Sequence, residues 1–274
     1  SELWPEVPVD EVPIGHVTNS VHAGTWVAAE VRDLVTRELP QDWRTRLDDV
    51  DMWRPVADLE PAELWAVRQR IKAQSVRFLR RRVARQLERQ EASATAMADA
   101  SELFDPAALT IGFARRFATY KRATLVLRDL ERLHRILSDP QRPVQLVFAG
   151  KAHPADEGGQ ELVRQIHTLS NEPRFNGRIL FVEDYDMAVG RALTRGVDVW
   201  LNNPRRPLEA SGTSGQKAAM NGVLNLSILD GWWPEGFDGL NGWAIGGDRV
   251  YADETRGDEA DADQLYDLLE REVV

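Results

Sequence analysis

The stretch LTIGFARRFATYKRATLVLRDLERLHRILSDPQRPVQLVFAG, residues 109–150, decides the fold class of this 274-residue chain. It begins with a short apolar run, Leu109–Phe113, and ends in a second apolar run, Val144–Ala149. Between them lies an amphipathic segment that we predict as a helix over Ala123–Leu137. Short apolar runs separated by a helical segment are typical of parallel strands joined by a crossover helix. The stretch therefore predicts a β-α-β unit.

The same alternation continues toward the C-terminal end of the chain. A further helix is predicted over Gln160–Leu169, and the remaining strand candidates are Arg178–Val182, Val197–Leu201, Leu224–Leu229 and a short sixth around Gly242–Ile245. Regular strand–helix alternation predicts an α/β fold with a doubly wound, Rossmann-like parallel sheet. Ligands of such sheets bind at the carboxyl ends of the strands, so the residues after each strand are the site candidates.

The N-terminal part of the chain has a different pattern. The sequence up to Trp26 is rich in proline and valine and is predicted as loop, whereas Val27–Ala100 is predicted to be helical. The clearest helix is expected after Asp58, a good N-cap residue, with Pro61 in its first turn.

The two ends of the sequence suggest a piece of a longer protein. The chain begins at Ser1 without a methionine, and it stops at Val274 inside a predicted helix. We expect residues 1–105 to form a loop and helical segment that joins a preceding domain. Residues 106–274 are then expected to be a Rossmann-like domain that is truncated at its C-terminal end.

The composition disfavours several classes of function. The net charge of -10 disfavours a nucleic-acid partner. The arginine run on the long predicted helix is therefore expected to be a solvated face paired with acidic neighbours; it comprises Arg77, Arg80, Arg81, Arg82 and Arg85. No apolar stretch approaches the roughly 18 residues that span a bilayer, and no secretory signal pattern occurs. The absence of cysteine excludes disulfides and suits a reducing, cytoplasmic location. We expect no membrane partner and no metal.

A basic cluster follows the first predicted strand and stands out on an acidic chain. It comprises Arg115, Arg116, Lys121 and Arg122. Arginine presents a planar fork suited to phosphate and lysine a compact charge, so an anionic ligand is favoured. The loop lacks the G-x-G-x-x-G pattern of dinucleotide sites, and no P-loop pattern occurs in the chain. A nicotinamide or flavin enzyme and a P-loop NTPase are both disfavoured.

The segment EASGTSGQKAAMNG, residues 209–222, is the second candidate site. Its small residues precede a predicted helix over Gln216–Met220, so backbone N–H groups at the helix start are free to meet a phosphate. Lys217 lies in the first turns of that helix. Its amine could form a Schiff base if its surroundings favour the neutral form, but lysines more often lie on exposed helix faces. The segment by itself leaves both interpretations open.

Four segments of the chain resemble the glycogen/α-glucan phosphorylases, and the match extends over nearly the whole chain from Pro13. The segment at 209–222 resembles that family's E-A-S-G-T-x-x-x-K motif, and ARRFATYKRA, residues 114–123, resembles its basic K/R-R-x-x-x-Y-K-R motif. GHVTNSVHAGTW, residues 15–26, resembles a T-N-G segment, and DGWWPEGFDGLNGWAIG, residues 230–246, resembles the short bacterial branch. The resemblance implies the C-terminal half of a two-domain glycosyltransferase of the GT-B type. The active site would lie between the two domains and include a glycine loop from the preceding one.

The resemblance implies a set of residues for binding pyridoxal phosphate. Lys217 would carry the cofactor, and Tyr185 would lie against it. The cofactor phosphate would be held by the Arg115 side chain and by the backbone amides of Thr213 and Ser214.

A second set is implied for the substrates. Arg116 and Lys121 would grip the substrate phosphate, and Lys217, Arg116 and Lys121 form the implied catalytic set. The glucosyl hydroxyls would be bound by Asn19, Glu209, Ser211 and Gly212. Two residues depart from the family pattern. Ser20 stands where glycine is usual, which would strain that turn if it needs positive φ, and Gln216 replaces a methionine with little expected consequence.

The implied reaction is the reversible phosphorolysis of α-1,4-glucan, such as glycogen or maltodextrin, to α-glucose 1-phosphate with retained configuration. The implied partners are the glucan, inorganic phosphate, glucose 1-phosphate, the preceding domain of the same chain and a second copy in a homodimer. Two alternatives remain open at this stage. One is a sugar-nucleotide glycosyltransferase of the GT-B type, and the other is a non-catalytic binding or regulatory module with the same fold.

Overall fold

The computed structural model describes residues 4, 6–8, 11–247, 249 and 251–274 and contains one six-stranded sheet. The strands are β1 (Leu109–Ala114), β2 (Val144–Ala149), β3 (Ile179–Val182), β4 (Val199–Asn202), β5 (Leu224–Ile228) and β6 (Gly242–Ile245). Their order is β3-β2-β1-β4-β5-β6, and every neighbouring pair is parallel. The predicted doubly wound parallel sheet is confirmed. Its strand order reverses between β1 and β4, the point at which such sheets place their ligands.

Helices precede the sheet in the chain and connect its strands. They are α1 (Ala23–Trp26), α2 (Ala29–Glu38), α3 (Pro61–Arg89), α4 (Ala94–Glu102), α5 (Leu130–Ser138), α6 (Glu157–Ser170), α7 (Met187–Gly196), α8 (Thr213–Ala219), α9 (Trp233–Gly236) and α10 (Glu254–Leu268). Among the described residues, no helix is both long enough and apolar enough to cross a membrane.

The two faces of the sheet are covered by different helices. On one face, Leu133 of α5, Ile166 of α6 and Tyr266 of α10 pack against inward-facing strand residues in one buried cluster. On the other face, Leu79 of α3 and Leu193 of α7 belong to a second cluster with strand residues that point the opposite way. The strands are apolar on both faces because both faces are buried.

The long helix α3 packs against the second face of the sheet, although α3 precedes all the strands in sequence. Val76, Leu79 and Val83 share the second cluster with strand residues, and α2 packs against the N-terminal half of α3 in a third cluster. The division of the chain at residue 105 stays a prediction. Of the arginine run on α3, Arg82 pairs with Asp186 as expected, whereas Arg80 donates to the carbonyl oxygens of Leu103 and Phe104.

Several predicted helix boundaries differ from the observed ones, α6 for example beginning at Glu157 and not at Gln160. The helix predicted over Ala123–Leu137 is interrupted: a 3-10 turn spans Leu125–Leu127, and α5 begins only at Leu130, where the Asp129 carboxylate accepts two backbone N–H groups. Asp58 does not cap α3, because it ends a 3-10 helix over Val50–Asp58 and Glu60 occupies the cap position. Helix α8 begins at Thr213, three residues before the predicted Gln216, because Gly212 in the left-handed conformation is its N-cap residue.

Candidate active site

The polar residues that follow β1 and β4 meet at the point where the strand order reverses. Arg115 comes directly after β1, and Asn202 is the last residue of β4; both are buried. The loop after β1 contacts the loop after β4 through the backbone, since Arg205 N donates to Tyr120 O at 2.6 Å. The sheet therefore brings the predicted basic cluster and the segment before α8 to one place.

A buried cluster of three charged side chains lies at this point. Glu209 Oε2 accepts from Arg115 Nη2 at 2.6 Å and from Lys121 Nζ at 2.8 Å, and each of the three side chains is less than 10% exposed. Burial raises the pKa of the Glu209 carboxyl, but the charges and hydrogen bonds of Arg115 and Lys121 outweigh it and hold the pKa below its ordinary value. Glu209 is therefore an ionised counter-charge shared by two cations.

Some buried polar atoms in and next to this charged cluster are unpaired within the described part of the chain. Nε and Nη1 of Arg115 and Oγ of Ser211 are buried without a hydrogen-bond partner among the described residues. Buried polar atoms are normally paired, and two cations that share one carboxylate attract a further anion. The nearby Asp230 carboxylate accepts the backbone N–H of Glu209 at 2.9 Å, and burial raises its pKa. The arrangement is suited to an anionic ligand that takes up the free donors of Arg115.

The turn after β5 fixes the backbone of the segment that carries Glu209 and Ser211. Asp230 accepts from Glu209 N, and Trp232 N donates to Ser211 O at 2.8 Å. Gly231 lies between them at φ +61, and a Cβ there would lie 2.6 Å from Ser211 O, so only glycine fits. The position of Glu209 is thus set by backbone contacts on both sides.

Lys217 lies on α8, in surroundings unlike those of the other three lysines. Lys72 and Lys121 are buried and paired with Asp198 and Glu209, and Lys151 is exposed. Lys217 is half-buried and makes no ion pair with any residue in the described part of the chain. Burial lowers the pKa of its amine. A half-buried lysine with a lowered pKa and no carboxylate partner is the type that serves as an amine nucleophile.

The predicted T-N segment packs against α8. Gln216 Nε2 donates to Asn19 O at 2.8 Å, and the buried Asn221 side chain donates to both Trp26 O and Lys217 O. These contacts place the Trp26 ring 4.0 Å from Lys217 Nζ. Because the face of an aromatic ring favours a cation, Trp26 partly opposes the effect of burial on this amine.

The remaining predicted residues have mixed surroundings. Thr213 and Ser214 are the first residues of α8, where backbone N–H groups have no intrahelical partner, and Ser214 Oγ accepts from Trp200 Nε1 at 3.3 Å. Arg116 is exposed and forms no hydrogen bond or ion pair within the described residues. Tyr185 follows β3 and packs against the cluster that includes Ala218; burial raises its pKa.

The structure brings together Arg115, Lys121 and Glu209, with Ser211 on the same segment as Glu209, and it places Asn19 against Gln216, the residue before Lys217. No hydrogen bond joins Arg116 or Tyr185 to either group within the described residues. Ser20 does not have positive φ, so the strain considered for that position is absent.

Sequence reasoning missed Asp230, Asn221 and Trp26 as parts of this arrangement. Asp230 lies two residues after the end of β5, so the rule that sites lie after strands would have found it. Asn221 and Trp26 gave no such signal, because their contacts depend on how residues 15–28 pack against α8.

Comparisons with known proteins agree with the resemblance. The family model described as "Carbohydrate phosphorylase" matches residues 11–234. The chain is 47% identical to a maltodextrin phosphorylase of Thermococcus litoralis over 99% of this chain and 32% of that protein. It is 48% identical to a glycogen phosphorylase of Mycobacterium bovis over 100% of this chain and 31% of that protein. A glycogen phosphorylase of Aquifex aeolicus is 45% identical over 96% of this chain and 38% of its own length. The chain thus spans about a third of the length of these relatives. With a parallel sheet in Rossmann order and family matches along most of its length, this chain belongs to the carbohydrate phosphorylase family.

Proposed function

We propose that this chain provides the cofactor- and phosphate-binding part of an α-glucan phosphorylase. The enzyme would transfer the terminal glucosyl unit of an α-1,4-glucan, such as glycogen or maltodextrin, to inorganic phosphate and release α-glucose 1-phosphate. The observation that carries the proposal is that the chain has both a half-buried Lys217 without an ion pair among the described residues and a buried cationic site with free donors on Arg115. An amine and an anion site are the two things that pyridoxal phosphate requires.

The residues of the chain fit that cofactor. Lys217 would hold it through its amine, Arg115 would bind its phosphate with the unpaired Nε and Nη1, and the backbone amides of Thr213 and Ser214 would add to that phosphate site. Tyr185 would lie against it. When bound, pyridoxal phosphate would supply a phosphate group that relays a proton to inorganic phosphate.

The substrate phosphate would be held by Lys121 and the exposed Arg116. Lys121 is already fixed beside Glu209, whereas Arg116 is free to turn toward a ligand. These cations would neutralise the phosphate while it donates its proton to the leaving glycosidic oxygen. Because phosphate then faces the developing positive charge on the sugar, the site needs no pair of catalytic carboxylates of the glycosidase type.

Glu209 would have two successive partners. In the structure its carboxylate is shared by Arg115 and Lys121. We propose that arriving phosphate groups take over these cations, which frees Glu209 to bind glucosyl hydroxyls together with Ser211, Gly212 and Asn19. Oγ of Ser211 has no competing partner among the described residues and is available for this contact.

The remaining parts of the proposal concern the whole protein. Its partners would be the glucan, inorganic phosphate, glucose 1-phosphate, a preceding domain that closes the active site, and a second copy in a homodimer. We expect it to act in the cytoplasm. The relatives named glycogen phosphorylase and maltodextrin phosphorylase support the class of substrate.

Chemical labelling tests the proposal at its carrying residue. The whole protein is incubated with pyridoxal phosphate, reduced with borohydride and digested, and we expect the pyridoxyl group on Lys217. Exposed Lys151 is the internal control, because it has no site around it and should stay unlabelled at equimolar cofactor. Lys217→Ala should stay folded, since alanine suits a helix, and should lose the label. A label on Lys121 or Lys151 instead would contradict the proposal.

A further inference from the structure

Arg122 lies at the end of the basic loop and is more extensively bonded than the residues predicted to bind ligand. It ends the 3-10 turn Thr119–Lys121, and its side chain is 4% exposed. Its guanidinium donates to the carbonyl oxygens of Asn203 and Pro204, each at 2.9 Å. It also forms ion pairs with Asp258 and Asp261 of α10 at 2.9 and 2.7 Å. One side chain thus joins the loop after β1, the loop after β4 and helix α10.

The backbone of Arg122 adds a second, independent observation. Its φ of 48 and ψ of 46 place it in the left-handed region, where glycine is favoured and a side chain with Cβ is disfavoured. The chain has arginine there, and its carbonyl oxygen accepts from Asn203 Nδ2 at 3.0 Å. A bulky residue persists in such a conformation where the surrounding contacts over-determine it. The contacts of the guanidinium do so here.

The orientation of the adjacent Lys121 side chain depends on this fixed backbone. Its Nζ reaches Glu209 Oε2, while Tyr120 on its other side accepts from Arg205 N. The backbone around Lys121 is therefore held to the loop after β4 at Tyr120 and at Arg122. Freeing Arg122 would leave a long, flexible lysine on a loose turn.

We propose that Arg122 is a positioning residue, which acts through Lys121 to hold its ammonium in the anion site and links that site to α10. The proposal rests on the proposed function for the role of Lys121 in binding inorganic phosphate. Arg122 itself has no free face toward the ligand, because four of its contacts lie on loop carbonyls and α10 carboxylates.

Phosphate kinetics in the whole protein test this role. Arg122→Gly removes the side chain and suits the left-handed backbone, so the fold should survive while the KM for phosphate rises at least about tenfold. The KM for glucan should change little. Arg122→Lys keeps the charge without the planar fork and should fall between wild type and Arg122→Gly. The matched control is Arg128→Ala, because Arg128 contacts Asp258 and Glu259 of the same helix only at 3.8–3.9 Å and should leave all constants unchanged.

A double-mutant cycle separates positioning from general support of the fold. If Arg122 acts through Lys121, then adding Arg122→Gly to Lys121→Ala should change the KM for phosphate by no more than about twofold. Should Arg122→Gly not fold, Asp261→Asn weakens the same anchor from α10 and should give a smaller rise in the same constant. An unchanged KM for phosphate in folded Arg122→Gly or in Asp261→Asn would overturn the proposal, as would full additivity with Lys121→Ala. Loss of phosphate-dependent turnover in the wild type would instead refute the proposed function.

Discussion

Replacing Glu209 with glutamine should destabilise the chain, because it removes the counter-charge of two buried cations. Glutamine keeps the shape and one acceptor oxygen, but Arg115 and Lys121 then lie in a buried site without a negative partner. Removing one partner of a buried ion pair typically costs 3–5 kcal/mol. Because one amide oxygen remains to accept a hydrogen bond, we expect a loss of about 3 kcal/mol in the free energy of unfolding at pH 7.

The assay is urea unfolding of the 274-residue chain, followed by tryptophan fluorescence, with and without inorganic phosphate. A ligand that binds only the folded state at 100 times its Kd stabilises by about 2.7 kcal/mol. Phosphate should stabilise Glu209→Gln more than the wild type, since in the wild type it competes with the carboxylate for the same cations. A variant within about 1 kcal/mol of wild type, or an equal effect of phosphate on both, would refute the reasoning.

The pH dependence gives a second view of the same group. The pKa of Glu209 is lowered in the folded state from an ordinary value of 4.5. A lowered pKa means that the stabilisation is fully present above about pH 4.5 and is lost as the pH falls through the folded-state value. The free energy of unfolding of the wild type should therefore fall toward that of Glu209→Gln under acid conditions, and the two curves should separate again near neutral pH.

Three further predictions follow from the site. Arg116→Ala should raise the KM for phosphate about tenfold or more, because a charge-assisted hydrogen bond is worth about 1.5–3 kcal/mol. Lys217 of this variant should still accept the cofactor, and unchanged kinetics in a phosphate titration would place the anion site elsewhere. Gly231→Ala should lower the free energy of unfolding in urea by more than about 1–2 kcal/mol, because Gly231 has positive φ and a Cβ there would meet Ser211 O. An unchanged free energy of unfolding would show that the turn does not fix the segment that carries Glu209 and Ser211. The isolated 274-residue chain should unfold in a cooperative transition but should release no glucose 1-phosphate from maltodextrin with added cofactor, because the resemblance places part of the active site on a preceding domain. Turnover like that of an intact phosphorylase would contradict this prediction.

The fold was readable because each strand of a buried parallel sheet is a short apolar run. All six predicted strands have both ends within two residues of the observed ones, and Val144–Ala149 and Gly242–Ile245 match at both ends. Val197 was assigned to a strand, but its N–H donates to Leu193 O at the end of α7, so β4 starts at Val199. Apolar pattern cannot distinguish a buried helix end from the start of a buried strand. The single helix predicted over Ala123–Leu137 was wrong for a related reason. Its apolar residues keep a helical period through residue 129, whereas in the structure Asp129 caps a helix that begins only at Leu130.

The candidate site was only partly predictable. The rule that ligands meet the carboxyl ends of strands located Arg115 and Lys121 after β1, and the structure brings both into contact with Glu209 of the segment at 209–222. That Glu209 would pair with the two cations was not expected, because the resemblance had assigned it to sugar hydroxyls. The role of Arg122 was also hidden, since it depends on Asp258 and Asp261, which lie more than 130 residues away in sequence. Such long-range pairings leave no periodicity to read.

The most direct test of the central claim is glucose 1-phosphate production by the whole protein. Maltodextrin and inorganic phosphate are supplied together with pyridoxal phosphate, and the product is measured with and without phosphate, alongside Lys217→Ala and Arg128→Ala. The account predicts glucose 1-phosphate that requires phosphate, is lost in Lys217→Ala and is unaffected in Arg128→Ala. Absence of product in the wild type, release of free glucose without phosphate, or turnover that requires a sugar nucleotide and survives Lys217→Ala would contradict it.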